Sequence, residues 1–158
     1  MLDGEDLVRL SDDCSSIDWV AAVEVFRRAP LGSREPDKLK RAFENSFTAV
    51  FAFDGGSLVG LGRAICDGEY QAAIYDVVVL PEYQGRSVGK MIMDKIMSSL
   101  PVNNIILYAV PEKEGFYKKC GFRLMKTAMA QLNPAMSHPQ AGYLTIDEPS
   151  NKPDTADS

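Results

Sequence analysis

Histidine and cysteine are scarce in this chain of 158 residues. It has one histidine, His138, and three cysteines that lie far apart in the sequence, Cys14, Cys66 and Cys120. These residues lack the spacing of zinc ligands, and an odd number of scattered cysteines disfavours a disulfide framework. Catalysis by a Ser-His or Cys-His pair is also disfavoured, because only His138 is available as the base. We therefore expect no metal site.

Long apolar runs and excess positive charge are also missing. No stretch approaches the ~20 apolar residues that a membrane-spanning helix needs, and the first six residues, MLDGED, do not resemble a signal peptide. The formal net charge is −5, which repels the phosphate backbone of nucleic acids and favours a small cationic ligand. We expect a cytoplasmic protein that has neither a membrane nor a nucleic-acid partner.

Strand-like and helix-like segments alternate along the chain. The predicted strands are residues 7–10, 47–53, 58–66, 70–80, 104–110 and 122–132, and the predicted helices are residues 16–28, 87–100 and 112–120 and a helix that begins at Pro36. This order indicates an α/β (α+β) fold, with a mixed, mostly antiparallel central sheet of about six to seven strands and helices on both faces.

Three further predictions concern a helix cap, a turn and the extent of the domain. Ser15 or Ser16 is the predicted N-cap of the first helix. Residues 54–57, DGGS, are typical of a hairpin turn. Residues 1–146 are predicted to form one domain, and the Pro-, Ser- and Asp-rich residues 147–158 are predicted to be a disordered tail.

The segment 81–90, PEYQGRSVGK, lies between a buried strand and an amphipathic helix. A helix N-terminus offers unpaired N–H groups to an anion, and Gly85 and Gly89 allow the backbone to approach it closely. Arg86 and Lys90 add positive charge. A P-loop does not fit, because its spacing is one residue short and Met91 replaces the hydroxyl residue. The residues alone leave two alternatives, a phosphate site and an ordinary strand-to-helix turn.

The same segment resembles motif A of the GNAT superfamily of acetyl-CoA-dependent N-acetyltransferases, whose pattern is Gln/Arg-x-x-Gly-x-Gly/Ala. Gln84 and Gly89 match its first and last positions, and Ser87 stands at the middle glycine. The Ser87 hydroxyl is expected either to donate to a phosphate or to cap the helix.

A second segment, residues 114–122, EGFYKKCGF, resembles motif B of that family, with Phe116 and Tyr117 at its Phe-Tyr pair. The resemblance covers roughly residues 50–132, and the region around the motifs also resembles small arylalkylamine and glucosamine-phosphate acetyltransferases. It implies a GNAT-like fold and acetyl-CoA as co-substrate, with no metal. The implied acetyl-CoA contacts are Val77, Val78, Val79, Gln84, Gly85, Arg86, Ser87, Val88, Gly89, Lys90, Phe116 and Tyr117.

The resemblance also implies catalytic roles. Tyr117 corresponds to the family's general acid, and a phenol of pKa near 10 is protonated at neutral pH. The N–H group of Val78 or Val79 would stabilise the oxyanion. Asp76 is the preferred candidate for the base, ahead of Glu69, although deprotonation through water is an open alternative. The residues expected to line the acceptor site are Tyr75, Tyr108, Glu112 and Glu114.

The predicted activity is acetyl transfer from acetyl-CoA to a primary amine, in particular a small cationic amine such as an arylalkylamine, a polyamine or an amino sugar. A protein or peptide N-acetyltransferase and a non-catalytic acyl-CoA-binding module are the alternatives. A homodimer that forms through the apolar segment Ala128–Leu132 is an additional hypothesis.

Overall fold

The computed structural model describes residues 7–146. One sheet contains five strands in the order β1-β2-β3-β4-β5, of which β1 to β4 are antiparallel and β5 is parallel to β4. The strands are β1 (Val8–Ser11), β2 (Thr48–Asp54), β3 (Ser57–Cys66), β4 (Gln71–Val79) and β5 (Asn104–Ile106). This confirms a mixed, mostly antiparallel sheet, although it has fewer strands than the six to seven predicted.

The helices are α1 (Trp19–Arg28), α2 (Pro36–Glu44), α3 (Val88–Ser99), α4 (Glu114–Lys119) and α5 (Pro134–Ser137), and three short 3-10 turns are Cys14–Ser16, Pro81–Tyr83 and Pro139–Ala141. The chain divides into two compact units, one that ends at Tyr108 and one that begins at Ala109. The first unit contains the sheet and α1 to α3, and the second contains α4 and α5. Among the described helices, none is long and apolar enough to cross a bilayer.

Helix α1 begins three residues later than the sequence pattern suggested. Its N-cap is Asp18, whose carboxylate accepts hydrogen bonds from the N–H groups of Val20 and Ala21. Ser15 and Ser16 belong instead to a separate 3-10 turn that Asp13 caps. The prediction of a serine N-cap was therefore wrong, because a carboxylate two residues further on caps the helix through two N–H groups.

Helices pack on both faces of the sheet in the first unit. On one face, the ring of Phe43 in α2 lies 5.5 Å from that of Phe51 in β2, with Trp19 of α1 within 6 Å of both rings. On the other face, Ile92 and Ile96 of α3 lie directly above the glycines of β3. The hairpin between β2 and β3 is as predicted, with Gly55 at a φ of +58°.

The predicted strand over residues 122–132 is absent from the part of the chain that the structure describes. Residues 122–132 form no strand, and Leu124 and Met129 are 72% and 97% exposed. An apolar, β-prone sequence becomes a strand only when it pairs with a neighbour. The strand that was expected to join two copies is likewise not formed at Ala128–Leu132, whereas the predicted tail, residues 147–158, lies outside the described residues.

Candidate active site

Strands β4 and β5 separate after three residue pairs. Their parallel pairing runs from Gln71 opposite Asn104 to Ala73 opposite Ile106, whereas β4 continues to Val79. Beyond Ala73, the edge of β4 that faces away from β3 is therefore not paired with β5 in the described structure. Such an edge presents N–H and C=O groups to a ligand.

The hydrogen bonds of β4 show which N–H groups point to this edge. The N–H of Leu80 donates to the carbonyl of Val59 in β3, at 2.8 Å. Because successive N–H groups of a strand point to opposite sides, the N–H of Val79 faces away from β3 and that of Val78 faces β3. Gln84 Nε2 donates to the carbonyl of Val79 on the same edge, at 3.1 Å. Of the two predicted oxyanion donors, Val79 is therefore the one that faces the open edge.

A bulge in β4 lies just before these residues. Leu61 pairs with Val78 and Arg63 pairs with Tyr75, so that Gly62 of β3 faces both Asp76 and Val77. Asp76 has a φ of +56°, an uncommon conformation for a residue other than glycine. Bulges of this kind redirect side chains and often lie beside active sites.

The bulge places Asp76 beside two arginines. Its Oδ2 accepts a hydrogen bond from Arg63 Nε at 2.7 Å, and its Oδ1 lies 3.4 Å from a terminal nitrogen of Arg34. Both carboxylate oxygens of Asp76 thus already have an arginine partner. Glu69, the weaker candidate, is exposed in the turn before β4 and lies seven residues away, roughly 20 Å along the strand. The role of Asp76 stays a prediction.

A pair of tyrosine rings lies beside Arg63, the hydrogen-bond partner of Asp76. The rings of Tyr75 and Tyr108 meet edge to face with their centroids 6.0 Å apart, and Tyr108 is 54% exposed. The guanidinium of Arg63 lies 5.3 Å from the centre of the Tyr75 ring. The structure thus links Tyr75, Tyr108 and Asp76, three of the residues that the sequence assigned to the acceptor or the base, through Arg63 and the tyrosine ring contact.

The turn that follows β4 has the backbone conformation of an anion site. Gly85 and Ser87 both have positive φ, +75° and +66°, and a Cβ added to Gly85 would meet nothing within 4 Å. Ser87 is the N-cap of α3, but its hydroxyl caps none of the helical N–H groups among the described residues. The predicted helix cap is therefore wrong. The N–H groups of Val88, Gly89 and Lys90 form the first turn of α3, where α-helices have no internal acceptors.

The cationic side chains of this turn make local contacts. The guanidinium of Arg86 lies 4.8 Å from the centre of the Tyr83 ring. Lys90 Nζ lies 2.6 Å from Asp94 Oδ2, one helical turn further along α3, and both side chains are exposed. The left-handed turn, the helix N-terminus and the unpaired edge at Val77–Val79 fit a pyrophosphate joined to an extended amide-containing arm, which is the chemistry of acetyl-CoA.

The second unit contains the proposed acid. The Tyr117 ring lies 4.9 Å from that of Phe116 and 6.3 Å from that of Phe122, both edge to face. Burial raises the pKa of Tyr117 to about 12, and the negative charge of an ionised Cys120 adds to this increase. Helix α4 ends at Lys119 with Cys120 as its C-cap, and Gly121 follows with a φ of +93°, as predicted for a glycine just past the helix. Glu112 and Glu114 of this unit are exposed.

Comparisons with known proteins show the family of this chain. Residues 45–124 match the family model described as "Acetyltransferase (GNAT) domain", which is just over half of the chain. The chain belongs to the GNAT acetyltransferase family. The GNAT match includes β2 to β5, the turn at 84–87 and α4.

Two curated GNAT relatives are similar over most of this chain. The uncharacterized N-acetyltransferase ycf52 of Gracilaria tenuistipitata var. liui is 38% identical over 116 residues, which are 69% of this chain and 57% of the relative. Serotonin N-acetyltransferase 2, chloroplastic, of Oryza sativa subsp. japonica is 36% identical over 118 residues, which are 70% of this chain and 58% of the relative. The chain thus spans less than two thirds of the length of both relatives.

A solved structure supports the fold. The GNAT-family acetyltransferase from Streptococcus pneumoniae TIGR4 superposes with a TM-score of 0.69 at 24% identity, over 81% of this chain and 99% of that one. At this identity the likeness concerns the fold alone. Within residues 7–146, no group of three or more His, Cys, Asp or Glu side chains is arranged to hold a metal ion.

Sequence reasoning missed Arg34 and Arg63 at this candidate site. These arginines lie 42 and 13 residues from Asp76, so no local pattern joins them. One signal was available, because aspartate is depleted in strands and Asp76 interrupts an otherwise apolar and aromatic run. A charged residue at such a position indicates a bulge or a paired carboxylate.

Proposed function

We propose that this domain transfers the acetyl group of acetyl-CoA directly to the primary amine of a small cationic acceptor, in particular an arylalkylamine. The observation that carries the proposal is the edge of β4 at Val77–Val79, which is not paired with β5 and is followed, after the 3-10 turn Pro81–Tyr83, by the left-handed turn at Gly85 and Ser87. The rice relative that is named for serotonin acetylation favours an arylalkylamine within this class.

The chain's own residues would bind and orient the reactants. The N–H groups at the start of α3 would hold the pyrophosphate, and Gln84–Lys90 would surround it. The edge of β4 would pair with the amide-containing arm, as an added strand does. Tyr75 and Tyr108 offer aromatic surface to the acceptor beside Asp76.

The reaction needs two proton transfers and no oxidant. The neutral amine nitrogen attacks the thioester carbonyl carbon, and the N–H of Val79 stabilises the resulting oxyanion. The C–S bond then breaks as the amide forms, and Tyr117 donates its phenolic proton to the departing thiolate. The proton lost by the amine leaves through Asp76 or through water.

The decisive experiment measures thiol release from acetyl-CoA with a panel of amines, for the native protein and for Tyr117→Phe. We expect the substitution to lower kcat about 100-fold or more, because the acid is lost while the aromatic ring stays in place. Binding of acetyl-CoA, measured by calorimetry, should change little. A variant that retains full turnover would refute the role of Tyr117, and a native protein that binds no acetyl-CoA would refute the proposed function.

The pH dependence provides a second readout of Tyr117. With a pKa of about 12 the phenol stays protonated through the range in which amines become neutral, so deprotonation of Tyr117 should cause no loss of rate below about pH 11. The raised pKa also adds stability that is present below pH 10 and is lost as the pH rises towards 12. Thermal unfolding of the native protein and of Tyr117→Phe across this range checks the sign.

The panel should also contain peptides with a free amino group, because a peptide acceptor is the alternative within this family. Turnover on peptides and not on small amines would transfer the proposal to that class. Tight acetyl-CoA binding without turnover on either would favour a binding module. A cytoplasmic location and a homodimer stay predictions.

A further inference from the structure

Asp76 has two arginine partners that differ in distance and exposure. Arg63 extends from the neighbouring strand, is 19% exposed, and donates from Nε at 2.7 Å. Arg34 lies between α1 and α2, is 37% exposed, and places a terminal nitrogen 3.4 Å from the other oxygen. The first is a well-formed hydrogen bond, whereas the second lies beyond the usual N–H···O range of about 2.7–3.2 Å.

Arg63 is held in place by several further contacts. Its guanidinium lies over the rings of Phe43 and Tyr75, at 5.9 Å and 5.3 Å, and a terminal nitrogen lies 3.4 Å from the Ser46 hydroxyl. Displacement of Arg63 would break all of these interactions and leave a half-buried charge unpaired. Arg63 is therefore the permanent counterion of Asp76.

Arg34 has contacts that do not depend on Asp76. A terminal nitrogen donates to the carbonyl of Leu31 at 3.1 Å, and the guanidinium lies 4.9 Å from the centre of the Phe26 ring. Both partners belong to α1 and to the loop that follows it. Arg34 would thus lose one long ion pair if another cation took its place at Asp76, and its remaining contacts would persist.

We propose that Arg34 is a displaceable counterion, whose place at Asp76 Oδ1 is taken by the ammonium group of the acceptor when the acceptor binds. This inference rests on the proposed function and specifies its substrate class. The Tyr75 ring contacts Arg63, the other partner of this carboxylate, and Tyr108 packs against Tyr75, so an ammonium group next to an aromatic ring matches the surface.

The test compares Arg34→Ala with two controls, using serotonin as the probe amine. Arg34→Lys keeps a positive charge in the loop. Arg27→Ala removes the same charge from an exposed ion pair with Glu24 on α1 and leaves Asp76 untouched. Each variant is measured for KM and kcat, for serotonin binding to the CoA-bound protein by calorimetry, and for thermal stability.

We expect Arg34→Ala to lower KM and the dissociation constant for serotonin about threefold to fivefold, because it removes the competing cation, and to change kcat less than twofold. Arg34→Lys and Arg27→Ala should remain close to the native values. A merely structural ion pair would lower the stability of Arg34→Ala without tightening serotonin binding.

Other outcomes overturn the proposal. An unchanged or raised dissociation constant for serotonin in Arg34→Ala would do so. A selective loss of binding for the α-carboxylated amine 5-hydroxytryptophan would assign Arg34 to recognition of an anion instead. Failure of the proposed function is distinguishable, because binding to the CoA-bound protein reports on the exchange at Asp76 even where acetyl transfer is absent.

Discussion

The two faces of β3 and β4 are built from opposite kinds of contact. Towards α3, the glycines of β3 allow the side chains of Ile92 and Ile96 to lie against its backbone. Towards α1 and α2, the same strand carries Arg63, which pairs with Asp76 of the bulge. The first face is therefore sensitive to side-chain volume, whereas the second adds a charge-sensitive pair to the packing of Phe43 and Phe51, and the edge at Val77–Val79 lies between them.

The volume-sensitive face gives the largest expected effect on stability. A Cβ at Gly62 would lie 2.9 Å from Ile92 Cγ2 and 3.1 Å from Ile96 Cδ1, closer than carbon atoms pack. We expect Gly62→Ala to lower the free energy of unfolding by about 2 kcal/mol, measured by urea denaturation. Gly56→Ala is the matched control, because a Cβ there meets nothing within 4 Å. Equal stability of the two variants would contradict this account of the face.

The substitution Asp76→Asn tests the charge-sensitive pair, because it removes the negative charge of the side chain and preserves its volume. Asparagine also tolerates the left-handed backbone, so the main change is the loss of charge opposite Arg63. We expect a loss of about 1–2 kcal/mol, between the values of exposed and buried pairs, because these side chains are 16% and 19% exposed. Glu24→Gln, which breaks the exposed pair with Arg27, should cost clearly less, because solvent screens exposed charges. Equal losses of stability in Asp76→Asn and Glu24→Gln would mean that the Arg63–Asp76 pair stabilises the fold no more than an exposed ion pair does.

The smallest effect concerns the backbone of the turn and has the opposite sign. Ser87 has a φ of +66°, which disfavours any residue with a Cβ. We expect Ser87→Gly to raise the free energy of unfolding by about 0.5–1 kcal/mol, since relief of this strain is partly offset by the entropy of glycine.

Ser87→Ala keeps the strain and lacks the hydroxyl. If both variants weaken acetyl-CoA binding equally, the hydroxyl donates to a phosphate; if neither does, that role is excluded.

Most of the first unit was predictable because its signals are local. Pro36 begins α2, the DGGS turn joins β2 to β3, and Pro81 follows the end of β4 as expected. Motif A also placed the N-terminus of α3 to within one residue. In each case the conformation depends on residues within a turn of one another, so the sequence alone contains the necessary information.

The errors occurred where a conformation depends on distant partners. The segment 122–132 has strand-like composition, yet it forms no strand among the described residues. Helix α1 was assigned the wrong N-cap because several polar residues compete within a short stretch, and the geometry of the chain selects Asp18. Neither outcome follows from composition.

The sequence by itself determined the alternation of strands and helices, the glycine-containing turn before α3 and the Phe-Tyr pair of α4, because hydrophobic period, turn residues and motif spacing are properties of neighbouring residues. Only the tertiary structure decided that β4 bulges at Asp76, that Val79 faces the open edge, and that Arg34 and Arg63 share one carboxylate. Those features depend on strand register and on contacts between residues far apart in the chain, which form only when the sheet and its helices pack together.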